Sequence, residues 1–177
     1  MLEKRLHEAV GRIEGAEQLD GAAKVAQGLA RQGLRSHTVD AVLRGEPLGH
    51  ALHPALVVLP MGSWLSASLL DLTGGDAAAA RRLVGFGCLA ALPTAAAGAA
   101  DFVRTSGAER RVGFVHAGVN DLALGMYLLS WRSRARGRRG AGAALALAGG
   151  GLLAIGGWLG GHLAYSRGVG VDVGAAS

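Results

Sequence analysis

The chain of 177 residues holds a single cysteine, four prolines, two tyrosines, three tryptophans and three phenylalanines. One cysteine permits no disulfide framework and no thiolate cluster, so Cys88 reads as a small buried apolar residue. Lysine is nearly absent: the 18 basic residues are arginine but for Lys4 and Lys24. No serine or cysteine triad pattern, phosphate-binding loop or dinucleotide fingerprint occurs. The glycine run 149–151 lies inside an apolar stretch with no strand before it, which excludes phosphate binding. A conventional enzyme is therefore not expected. Nor is a cleavable signal peptide, because residues 1–48 are polar, with seven acids and seven bases.

What is present is apolar and segregated. Half of the residues are hydrophobic and mean hydropathy is +0.32, high for a soluble domain of this size. Four long runs carry few charges: Ala55 to Leu72, Leu83 to Phe102, Val112 to Trp131 and Ala141 to Tyr165. Each approaches or exceeds the roughly 20 residues that cross ~30 Å of hydrocarbon as a helix. Lipid leaves backbone groups no outside partner, so each run is predicted helical. The fold class is all-α, a four-helix transmembrane bundle with an N-terminal amphipathic helical segment. Residues 1–48 form that segment, 49–167 the four-span domain and 168–177 a short tail. Leu2, Leu6, Ala9, Val10 and Ile13 recur at helical spacing, and Leu34, Val39, Val42 and Leu43 give a weaker second pattern. Such helices lie on a membrane surface or pack on a partner; His7 and His37 within them read as solvated.

Antiparallel connection of four spans sorts the polar residues by side. The first and third spans begin on one face, the start face, where the second and fourth end. His50 and His53 immediately precede the first span, with Pro54 suited to its first helical position. By residue count His116 lies ~6 Å inside the third span, and His162 ~4.5 Å from the same face on the fourth. Asp101 ends the second span there too, while the opposite face has no histidine. Ionisable groups at a bilayer are costly and tend to mark sites. A deeper polar layer is predicted ~13 Å in, where Asp121 meets Ser63, Thr94 and Trp158. Asn120, one turn from His116, is placed to orient that imidazole. Pro60 and Pro93 are expected to bend their spans. Glycines and alanines at four-residue spacing (Gly157 and Gly161, Gly156 and Gly160, Gly87 through Ala99) allow close helix contact, and Gly160 and Gly161 also leave space beside His162.

Several stretches resemble the DUF2231 family of predicted bacterial membrane proteins. GHALHPALVVLPMG (49–62) is similar to that family's GHPLHPALVHFPIG-type signature. ALPTAAAGAAD (91–101), RVGFVHA (111–117) and GGHLAYSRGVGV (160–171) follow in matching order and spacing. Ala51 departs from the family's frequent proline, which loosens the loop between two histidines without removing either. The resemblance implies a redox setting, since some similar proteins continue into a Rieske iron–sulfur domain and others carry cytochrome c domains. This chain shows no such domain, so a redox partner is expected to be a separate polypeptide.

The leading expectation is a b-type haem or another redox metal centre at the start face, serving electron transfer. His116 and His162 are the pair at suitable depth for bis-histidine ligation. Arg104, Arg110, Arg111 and Arg167 are near enough to meet propionates. His50 and His53 then serve a second centre or close over the first. Alternatively all four histidines gather round one zinc or copper ion. Three other readings stay open: structural imidazoles with no cofactor, a proton relay or transport component running through Asp121, and an assembly subunit, including a homo-oligomer. The partner is the lipid bilayer and not nucleic acid, because the arginine run 132–139 lies between two spans. Seven arginines on the far face against five near the start face make the far face cytoplasmic. The histidines then face outward from a bacterial cytoplasmic (inner) membrane.

Overall fold

Four helices long and apolar enough to cross a membrane dominate the computed structural model, which describes residues 1–171. They are Leu52–Leu72, Ala77–Phe102, Gly107–Ala135 and Arg139–Ser166, an all-α four-span bundle. Between 22% and 39% of each apolar window is buried inside the protein, and large residues such as Leu65, Leu69, Phe86, Leu89 and Leu122 stand exposed. A water-soluble bundle would hide such faces; a bilayer solvates them.

In chain order the elements are α1 (Leu2–Glu14), α2 (Asp20–Gly33), α3 (His37–Arg44), α4 (Leu52–Leu56), α5 (Val58–Leu72), α6 (Ala77–Phe102), α7 (Gly107–Ala135) and α8 (Arg139–Gly161). A wide π turn, His162–Ser166, extends α8. The first span is split at Val57 because Pro60 has no N–H to offer the Leu56 carbonyl. Pro93 leaves α6 unbroken from Ala77 to Phe102. Helix begins at Leu52, so Pro54 stands within the first turn instead of opening it; no N–H there needs an intrahelical partner. Ser36 caps α3, accepting from the Val39 N–H. Gly45 ends α3 at φ 79°, and a Cβ there would strike the His50 carbonyl, so glycine is required twice over. The Leu2 side chain and tail residues 172–177 lie outside the described residues.

Two units divide the chain: Met1–His53 with Ala96–Gly118 and the segment from Gly157, and Pro54–Ala95 with Val119–Gly156. In the second unit the core is Trp64, Ala67, Ala80, Val84, Cys88, Tyr127 and Ala146. The Trp64 and Tyr127 rings stack at 4.0 Å, 5° from parallel, and the Trp64 indole N–H donates to the Val84 carbonyl at 3.3 Å. Asp71 and Arg134 form a bidentate ion pair whose side chains are 5% and 3% exposed. The Ser130 hydroxyl accepts from Arg134 Nε at 3.1 Å and donates to the Gly142 carbonyl at 2.6 Å.

These pairs follow a rule. Asp71 and Arg134 are 63 residues apart, as are Trp64 and Tyr127 and the two turn glycines Gly74 and Gly137, both left-handed at φ 71° and 74°. Trp64 lies on Gly87 of α6 and Tyr127 on Gly149 of α8. Those glycines keep the same spacing less the one residue by which the α7–α8 turn is shorter. Spans one and two thus repeat in spans three and four as a parallel duplication, with each buried pair joining corresponding positions.

Removing one partner of a buried ion pair strands a charge, at about 3–5 kcal/mol, whereas replacing both with apolar residues is close to neutral. Arg134→Leu should therefore lower the unfolding temperature in detergent sharply, and Asp71→Leu/Arg134→Leu should recover most of the loss. Equal damage in the single and double variants would contradict the pairing.

Candidate functional site

The first unit contains all four start-face histidines, and it brings His53 and His116 together. Their ring centroids are 6.4 Å apart, with planes at 83°, edge to face. Each ring rests on a glycine. A Cβ at Gly98 of α6 would stand 2.9 Å from His53 Cε1, and one at Gly160 of α8 would stand 2.9 Å from His116 Cε1. No side chain fits at either place without displacing an imidazole, so small residues expected to serve helix packing also seat the rings. His53 and His116 are again 63 residues apart and their glycines follow the shorter spacing. Both imidazoles are half-buried. Asp101, half-buried at the end of α6, interacts electrostatically with His53, and its carboxylate abuts Gly170, where a Cβ would come within 2.7 Å of Oδ2.

His162 goes elsewhere. Its Nε2 is 2.9 Å from Glu14 Oε1, an oxygen that also accepts from Arg167 Nη2 at 2.6 Å. His50 is exposed. The expected pairing of His116 with His162 is thus replaced by His116 with His53. Residue count gives only a position along a span, and the side from which each ring approaches is fixed by helix packing. Among the described residues no group of three or more His, Cys, Asp or Glu is arranged to hold a metal.

In the deeper layer the polar residues differ in burial and in their hydrogen-bond partners. Ser63 and Thr94 are buried and donate to the carbonyls of Leu59 and Ala90, 2.7 and 2.8 Å away in their own helices. That local bond satisfies a hydroxyl in an apolar setting without any carboxylate. Trp158 is half-buried and packs with Val10, Val112, Leu159 and Leu163. Asp121, midway along α7, is exposed. The Asn120 amide lies against Gly156 of α8, where a Cβ would collide with it.

Sequence reasoning missed the carboxylates that occupy the start-face arginines. Asp40 binds Arg104 through two hydrogen bonds of 2.8 and 3.2 Å. Asp20 takes Arg110 at 3.3 Å and Arg111 at 3.2 Å, while Arg111 Nε donates to the Glu14 carbonyl at 2.8 Å. Buried Gln27 donates to the Phe102 and Thr105 carbonyls at 2.8 and 2.9 Å, and Arg31 to Val103 at 3.1 Å. The arginines expected to meet propionates are therefore held by α1 to α3, a docked cap. Its balanced seven acids and seven bases were the only hint in the sequence.

Family comparison covers residues 49–173, which match the model of the predicted membrane proteins DUF2231. The chain belongs to the DUF2231 family. No curated protein and no solved structure matches it. The match contains His50, His53, His116 and His162 but leaves the cap residues 1–48 outside, so Glu14, Asp20, Gln27 and Asp40 are additions to the DUF2231 region.

Electrostatics make the docking pH-dependent. Hydrogen bonds from Arg104 hold the Asp40 carboxyl below the usual aspartate range. For Glu14 and Asp20 burial acts upward, but hydrogen bonds from Arg167 and His162, and from Arg110 and Arg111, outweigh it and the net shift is downward. Depressed carboxyl values mean that the stabilisation is complete above the ordinary range and is lost as pH falls through the lowered values. Amide exchange of α1 to α3, corrected for intrinsic rate, should hold steady from pH 7 to about 5 and rise below about pH 4. Glu14→Gln should raise it roughly two- to five-fold at pH 7, the scale of partly exposed ion pairs. Unchanged exchange in both experiments would show that the cap is held by packing alone.

Proposed function

We propose that this DUF2231 protein sits in the bacterial cytoplasmic membrane and binds a b-type haem, or failing that a single copper or zinc ion, between His53 and His116. In the haem case it passes electrons to a separate redox protein. The observation that carries the reading is the 6.4 Å separation of two half-buried imidazoles. Metal–imidazole bonds are about 2 Å, so two rings sharing one metal place their centroids roughly 6 Å apart. Ligand number favours haem. A structural zinc ion asks for four protein ligands, whereas haem supplies four nitrogens itself and needs two axial histidines. The bare backbone of Gly98 and Gly160 lets each imidazole seat directly against the neighbouring helix, which supports a fixed placement of both rings.

The excess of arginine around the α5–α6 and α7–α8 turns favours a cytoplasmic location for that end, which turns the histidine face outward. Asp101 near His53 is suited to fixing that imidazole's orientation, as outer carboxylates do for metal-ligating histidines.

Protein expressed with haem supply and purified in detergent should show a Soret band. His53→Ala and His116→Ala should each abolish it, and His162→Ala should retain most of it, because that ring is engaged by Glu14. Metal analysis of the same samples identifies copper or zinc if the band is missing. Neither haem nor metal at close to one per chain in folded wild-type protein would refute the proposal and leave the imidazoles a structural or assembly role.

A further inference from the structure

Five arginines of the first unit are neutralised by carboxylates, whereas two on the outer face of α7 in the second unit are not. Arg44, Arg104, Arg110, Arg111 and Arg167 all form ion pairs with carboxylates. In the other unit Asp71 is taken by Arg134, and Asp76 caps the Ala78 N–H at 2.7 Å. Arg132 and Arg136 form no ion pair with any carboxylate among the described residues, and both are exposed. Helix geometry explains the division: at 100° per residue Arg134 turns inward to Asp71, while Arg132 and Arg136, one turn apart, share the outer face of α7.

That face is also apolar. Leu128 and Trp131 are 44% and 40% exposed, and with Arg132, Ala135 and Arg136 they line a groove of about 380 Å³. Apolar contacts at Leu128 and Trp131 thus give way, toward the end of a membrane span, to two unneutralised guanidinium groups. An indole at that level sits where interfacial tryptophans are enriched, and guanidinium binds phosphate in bidentate fashion. In the first hairpin the corresponding residues are Leu65, Ser68, Leu69, Leu72 and Thr73, which carry no charge. The groove therefore belongs to one copy of the duplication only, and span packing common to both copies does not account for it.

We propose that the α7 groove formed by Leu128, Trp131, Arg132, Ala135 and Arg136 binds an anionic phospholipid, its acyl chain along Leu128 and Trp131 and its phosphate between Arg132 and Arg136. Charge complementarity selects this occupant: a zwitterionic lipid brings its own cation to the arginines, and a free phosphate gains nothing from the indole. The inference is independent of the histidine site, because it rests on other residues and needs no metal.

Purified full-length protein is mixed in detergent micelles with phosphatidylglycerol, phosphatidylcholine or inorganic phosphate, and retained lipid is counted by native mass spectrometry. Phosphatidylglycerol should bind at about one per chain, and at least ten-fold more tightly than phosphatidylcholine. Arg132→Gln/Arg136→Gln should weaken it about ten-fold or more, and Arg81→Gln/Arg82→Gln should leave it within two-fold. Should the first double variant not fold, wild type with phosphatidylglycerol brominated on its acyl chains decides instead: quenching of tryptophan fluorescence should disappear in Trp131→Phe. Equal binding of the two lipids, equal loss in both double variants, displacement by millimolar phosphate, quenching that survives Trp131→Phe, or a dimer that occupies the groove would each overturn the proposal.

Discussion

Aromatic or imidazole rings resting on bare helix backbone are the contact on which this architecture depends. Trp64 on Gly87, Tyr127 on Gly149, His53 on Gly98 and His116 on Gly160 make this contact as two matched pairs, and Trp131 makes it on Gly85. A ring can reach its counterpart from the other hairpin only if the neighbouring helix contributes no side chain where the ring lies. In a membrane, where lipid is as apolar as the core, association of helices relies on such close packing more than on exclusion of water. The same contact yields a stacked aromatic pair in one unit and an edge-on imidazole pair in the other.

Charge is organised by a second principle. Carboxylates of a segment outside the family match neutralise the start-face arginines and engage His162. The cap thereby removes the very cations that a propionate would otherwise find, and a haem seated by His53 and His116 must rely on other groups for its carboxylates. Arg132 and Arg136 have no such neutralising segment, so lipid or solvent has to solvate them.

The spans were legible because hydropathy and run length are one-dimensional quantities. Direction around a helix is not. His162 and His53 have similar claims by depth, yet one meets Glu14 and the other His116. Ser63 and Thr94 each donate to a carbonyl one turn back in their own helix, and Asp121 is exposed, so equal depth did not bring a carboxylate to those hydroxyl bonds. The duplication was hidden because its copies share roles more than letters: tryptophan answers to tyrosine and aspartate to arginine, and only scattered positions, such as His53 with His116, Gly87 with Gly149 and Leu65 with Leu128, keep the same residue.

From the sequence alone came the four membrane helices and membership in a family of predicted membrane proteins. These follow from local patterns, since a bilayer compels any long apolar run to close its own hydrogen bonds as a helix. Tertiary structure alone decided that His53 pairs with His116, that Glu14, Asp20 and Asp40 cap the arginines, and that Asp71 and Arg134 bury a charge pair. Each of those joins residues dozens of positions apart, and their meeting depends on how helices rotate and pack, which no local pattern specifies.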